Sequence, residues 1–176
     1  AYQWIETLIS QICAIMTTIG FLGVCFIFFT SKNVRKIVAF RIIFYMNISD
    51  FMMTWTNFLG WWTQNPSVCY VQAYFSNAFF FTSVVFTAFL SKLIMQQTYD
   101  NTHHDKFLFW KNDFKLLLIN LVPLIIFLFP FWSNSYGLSG YWCGFSFMDK
   151  YSSWEDYYWV VLLYFSGILI VVYNFI

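Results

Sequence analysis

Five nearly unbroken apolar stretches, each about 19 to 27 residues long, constrain this chain more than any other feature. They cover residues 4–30, 42–62, 69–95, 114–132 and 157–176. As helices rising about 1.5 Å per residue, they reach across the roughly 30 Å of hydrocarbon in a bilayer. One such run is compatible with the core helix of a soluble domain, but five in succession leave too little polar surface to cover them. Only 10% of the residues are charged, against about 25% in soluble domains. The expected fold class is therefore an all-α membrane protein, a polytopic helical bundle forming one transmembrane domain over residues 1–176. The lipid bilayer is its first partner. The opening run lacks a basic leader and a small-residue cleavage site, so it reads as a span and not a signal peptide. The sequence begins with Ala and stops inside VVLLYFSGILIVVYNFI, so it reads as a piece of a longer protein.

The charges orient the spans. Of nine Lys and Arg residues, Lys32, Arg35, Lys36 and Arg41 follow the first run, and Lys92, Lys106, Lys111 and Lys115 lie around the third connector. The alternate side holds only Lys150, outnumbered by Asp149, Glu155 and Asp156. The positive-inside rule then puts both basic connectors in the cytoplasm and the N-terminus outside. The expected location is the plasma membrane, multi-pass, with an organellar membrane as the alternative. The turn at TQNPSV and the loop from Ser133 to Asp156 face outward.

That topology gives two of the four cysteines a common compartment. Cys13 and Cys25 lie inside the first run, where thiols usually serve as small packing groups. Cys69 opens the third run and Cys143 lies in the outward loop, so in an oxidising compartment they can bridge. Two unpaired interfacial thiols are the alternative.

A cysteine opening the third span, bridged to the loop between the fourth and fifth, resembles the outer staple of G-protein-coupled receptors. The loop Asn134-Ser-Tyr136-Gly137-Leu-Ser-Gly140-Tyr-Trp142-Cys143 is similar to the Tyr-Gly-x-x-Gly-x-Trp-Cys stretch of the cyclic-AMP-receptor-like group. LVPLIIFLFPF, with Pro123 and Pro130, fits that group's fourth helix, and Asn47-Ile-Ser49-Asp50-Phe51 is similar to the polar motif of its second. The resemblance implies seven spans, of which five are present, an extracellular small-molecule ligand, and a heterotrimeric G protein as cytoplasmic partner. It also implies that Asn47 and Asp50 form a polar switch; the charge placement puts Arg35, Lys36 and Lys92 on the cytoplasmic face. The Asp/Glu-Arg-Tyr signature of rhodopsin-like receptors is absent from LSKLIMQQTY, which leaves the G-protein contacts unassigned.

The same residues have a plain physical reading. Asp50 lies about 13 Å inside the second run, where a lone carboxylate costs about 2.5 to 3.5 kcal/mol on insertion scales. It must face other helices, be protonated or hold a cation; a structural clasp with Asn47, one turn away, is the simpler role. Gly137 and Gly140 permit a compact outer lid, and Tyr136 and Trp142 suit the headgroup level. Trp55, Trp62, Tyr74 and Phe80 can line a pocket for an apolar or weakly polar ligand, or pack helices. Cyclic AMP itself fits poorly, because a phosphate seeks Arg or Lys and the outer half offers only Lys150. His103 and His104 beside Asp100 and Asp105 lack the further ligands of a metal site. Neither a cofactor, nor a nucleic-acid partner, nor an enzymatic activity is expected. The competing function is a non-signalling structural subunit of a larger membrane complex, mitochondrial or of another organelle.

Overall fold

The computed structural model describes residues 2–58, 65–99, 113–132, 136–139, 142–145, 161–162, 164–170 and 172, and these are mostly helical. Helix α1 covers Tyr2–Thr30, α2 Val38–Phe58, α3 Pro66–Tyr99, α4 Asp113–Ile126 and α5 Leu128–Trp132. A 3-10 turn, Val34–Lys36, links α1 to α2. Strands β1 (Tyr136–Ser139) and β2 (Trp142–Phe145) follow α5, and residues 164–170 are helical again.

Among the described residues, two helices are long and apolar enough to cross a membrane: α1 over Leu8–Thr30 and α3 over Ser67–Met95. The apolar stretch Phe114–Pro130 is shorter, and α2 is diluted by Arg41, Asn47, Asp50 and Asn57. α1 shows why such a helix needs an apolar surrounding. Ile12, Met16, Ile19, Phe26 and Phe29 are all more than half exposed along it. A surface of that kind is stable against lipid or apolar protein, not against water.

Local chemistry sets the helix ends. Asn65 Oδ1 accepts the Ser67 N–H at 3.0 Å, and the Asn65 carbonyl accepts the Cys69 N–H at 3.1 Å. Pro66 fills the first helical position, where its missing N–H leaves nothing unsatisfied. The expected turn is thus the cap of α3, which begins three residues ahead of Cys69. α2 begins at Val38, ahead of the expected residue 42, directly after the extended Ile37. Residues 59–62 of the second expected run lie outside the described residues, as do 157–160 of the fifth. The fourth expected run divides at Phe127, between α4 and α5. Pro130 withdraws the N–H that would have bonded the Ile126 carbonyl, one turn back, so the helix cannot continue unbroken.

α2 packs against both α1 and α3, α4 packs against α3, and the two strands sit on α3. The α1–α2 seam is aromatic: Phe28 stacks on Phe44 at 3.9 Å between centroids, and Phe21 on Phe51 at 4.5 Å. Two buried clusters lie at different heights on α3. One gathers Cys69, Ala73, Ala78, Phe127, Tyr136 and Cys143. The other, nearer the C-terminal end of α3, gathers Val38, Ile42, Phe86, Leu93 and Leu116.

Candidate functional site

The stretch from Tyr136 to Phe145 forms an antiparallel hairpin in the register Tyr136↔Phe145, Gly137↔Gly144, Leu138↔Cys143 and Ser139↔Trp142. Ser139 pairs with Trp142, so Gly140 and Tyr141 are all the chain between the strands; these two lie outside the described residues. Cys143 is bonded to Cys69, with their Cα atoms 5.2 Å apart and a sequence separation of 74. Both are buried, so the hairpin is clamped onto the first turn of α3.

Tyr136 anchors the hairpin from below. It is 1% exposed, and its hydroxyl donates to the Phe127 carbonyl at 3.2 Å. From α3, the Tyr74 hydroxyl donates to the Leu124 carbonyl at 2.7 Å. Both acceptors lie at or within three residues of the α4–α5 break at Phe127. Two phenols therefore tie the backbone around the break to α3 and to the hairpin. Burial, with smaller contributions from the phenols of Tyr74 and Tyr164, holds the Tyr136 hydroxyl well above the ordinary phenol range. It stays protonated, and so remains a donor, at any physiological pH.

Polar contacts pin the helices together. Ser49 Oγ donates to Asn120 Oδ1 at 2.7 Å, a buried link from α2 to α4. Ser76 Oγ donates to Asn57 Oδ1 at 3.0 Å, and the Tyr164 hydroxyl to Asn77 Oδ1 at 3.1 Å. Thr87 Oγ1 meets Met46 Sδ at 3.6 Å. The Asn57–Ser76 and Met46–Thr87 contacts run in antiparallel register, which sets Asp50 level with Ser83. Asn47 turns away from Asp50: its Nδ2 donates to the Ile43 carbonyl at 2.8 Å. The half-buried Asp50 therefore sits on the α2–α3 seam with no hydrogen bond between it and Asn47, although its own carbonyl accepts from Thr54 Oγ1 at 2.7 Å. One further polar group stands out near the disulfide. Gln72, one turn after Cys69, is 2% exposed and its Oε1 has no hydrogen-bond partner.

The expected pocket aromatics lie on separate seams. Trp55 donates from Nε1 to Thr18 Oγ1 at 3.1 Å and packs beside Phe51 and Phe58, on the α1–α2 seam. Tyr74 serves the α3–α4 seam, Phe80 is exposed with its ring 6.4 Å from Tyr164, and Trp62 lies outside the described residues. Trp142 stands in β2 beside Cys143, and Gly137 lies opposite Gly144. Arg35 and Lys36 sit on the 3-10 turn, and Lys92 is half-buried on α3. His103 and His104 lie outside the described residues.

Sequence reading missed the Ser49–Asn120 link and the hairpin. A lone Asn in the apolar fourth run was the only signal for the first. For the second it was a Gly-Tyr pair between two short β-forming segments, a spacing that suits a two-residue connection. The Ser49–Asn120 link should be measurable: a Ser49→Ala, Asn120→Ala double-mutant cycle, read by unfolding in micelles, is expected to give a coupling of about 0.6 kcal/mol, at most about 1.7. Additive effects would show that the contact carries no net energy.

No protein-family model matches this chain, and no curated protein matches it either.

Proposed function

We propose that this chain comprises the first five spans of a seven-helix, G-protein-coupled receptor of the cyclic-AMP-receptor-like group, set in the plasma membrane with its N-terminus outside. The observation that carries this reading is the bond from the first turn of α3 to a hairpin between α5 and the helix at 164–170. A staple there shapes the outer mouth of a bundle. It stands some 34 Å along α3 from Lys92, about one bilayer thickness, with the cations at the far end. An oxidising outside and a cation-rich inside are then served by one helix.

The ligand is an extracellular small molecule, apolar or weakly polar, carrying at least one hydrogen-bond donor. Gln72 Oε1 supports the donor: a buried carbonyl oxygen without a partner costs about 1 to 3 kcal/mol, which a ligand or water hydrogen would recover. The half-buried Asp50, on the α2–α3 seam, is the group whose surroundings change when the helices shift.

Two measurements test the reading. The coding sequence beyond residue 176 should encode two further apolar runs of about 20 residues. Membranes bearing the full-length protein should accelerate guanine-nucleotide exchange on a heterotrimeric G protein, and Asp50→Asn should alter that rate at equal surface level. A chain closing without two more spans, together with no exchange, would leave the structural-subunit reading in its place.

A further inference from the structure

We infer that the end of the molecule opposite the disulfide is a binding surface for anionic phospholipid headgroups; this rests on the membrane-spanning reading above. The surface is assembled from three helices. Ile42, Leu93 and Leu116, each at most 2% exposed, belong to one buried apolar layer joining α2, α3 and α4. Immediately before each in sequence stands a half-buried cation: Arg41, Lys92 and Lys115. Long cationic side chains at the edge of an apolar layer characteristically cover it with their alkyl stems. The connector adds Lys32, Arg35 and Lys36, with Arg35 and Lys36 held on the 3-10 turn. Across residues 31–46, 86–99 and 113–119 there are six cations and a single acid, Asp113. α2 and α4 both begin at this end, so their positive dipole ends add to the same field.

Exposed apolar side chains stand directly beside two of these cations. Ile37, next to Lys36, is 53% exposed, and Phe114, next to Lys115, is 63% exposed. An exposed apolar side chain adjoining a cation, repeated on two elements at one level, matches a boundary where headgroup phosphate meets acyl chain. A free anion would make no use of Ile37 or Phe114. That pairing favours lipid as the occupant.

The test uses the full-length protein in phosphatidylcholine nanodiscs, titrated with fluorescent short-chain phosphatidylinositol bisphosphate. Saturable binding is expected, weakening as salt rises. Arg35→Gln/Lys36→Gln should weaken it roughly 25-fold, about fivefold per cation, and Lys115→Gln about fivefold. Phe114→Ser, which keeps every charge, should also weaken it. Unchanged helicity in neutral nanodiscs would show that these variants remain folded. Equal binding by wild type and the charge variants would overturn the proposal, as would competition by inorganic phosphate at matched phosphate concentration, which would mark a simple anion site. A protein extracted from neutral vesicles by alkaline carbonate would bring down the spanning assignment, and this surface with it.

Discussion

Replacing both Cys69 and Cys143 by Ala is expected to lower the free energy of unfolding by about 4 kcal/mol against a fully unfolded chain. The closure is long, 74 positions, and the chain-entropy argument makes long closures the costliest to lose. The reference state decides how much of this is seen. In a bilayer the unfolded protein keeps its inserted helices, so the released loop gains less freedom and the loss should fall toward about 2 kcal/mol. In denaturing micelles, where the helices separate, the larger figure should be approached. Thermal midpoints of wild type with and without dithiothreitol, beside the double variant, would check this. Reduced wild type and the double variant should melt together, well below the oxidised protein. A midpoint that ignores both treatments would mean that the hairpin is held by Tyr136 and its ladder alone.

The helices were legible because their cause is local. A run such as ETLISQICAIMTTIGFLGVCFIFFT specifies α1 by composition, and Asn65-Pro66 announces the start of α3 by capping chemistry. Residues 114–132 were expected as one unbroken run, although Pro123 and Pro130 stand within it. The break at Phe127 follows from Pro130, while the hydrogen bonds from Tyr74 and Tyr136 beside it come from other elements and could not be read locally. Asn47 and Asp50 share a helix face by spacing, yet spacing does not choose a partner. The Asn47 amide is taken by the Ile43 carbonyl, a backbone acceptor one turn back that is always within reach. Ser49 and Asn120 meet across 71 positions, and no local rule connects them. The Cys69–Cys143 bridge was expected because the two cysteines fall in connectors of like charge character, and the two sulfurs are bonded. Pocket-lining was the least readable, since Trp55, Tyr74 and Phe80 satisfy composition equally well on three different seams.

Tyr136→Ala is the second change expected to act strongly, with a loss of about 3 to 5 kcal/mol, the range for emptying a buried aromatic site. The side chain is 1% exposed and packs in one cluster with Cys69, Cys143 and Phe127, so its removal opens a cavity there. Tyr136→Phe separates the ring from its hydroxyl. It keeps the packing and leaves the Phe127 carbonyl without this donor, so it should cost about 1 to 3 kcal/mol. The two variants differ again with pH. Burial raises the folded-state phenol far above its unfolded value, so the folded protein keeps a proton that the unfolded chain releases near pH 10. The stabilisation is therefore complete below about pH 10 and declines as pH climbs beyond it. Wild type should lose stability more steeply than Tyr136→Phe between about pH 10 and 11.5, measured as melting midpoint in alkali-stable detergent. Parallel slopes would mean that the phenol is open to water and that the hairpin does not seal the α4–α5 break. Since the same hairpin carries Cys143, a loosened Tyr136 should also speed reduction of the bridge. The rate of thiol release in Tyr136→Ala, set beside wild type, links the two ends of this hairpin in one experiment.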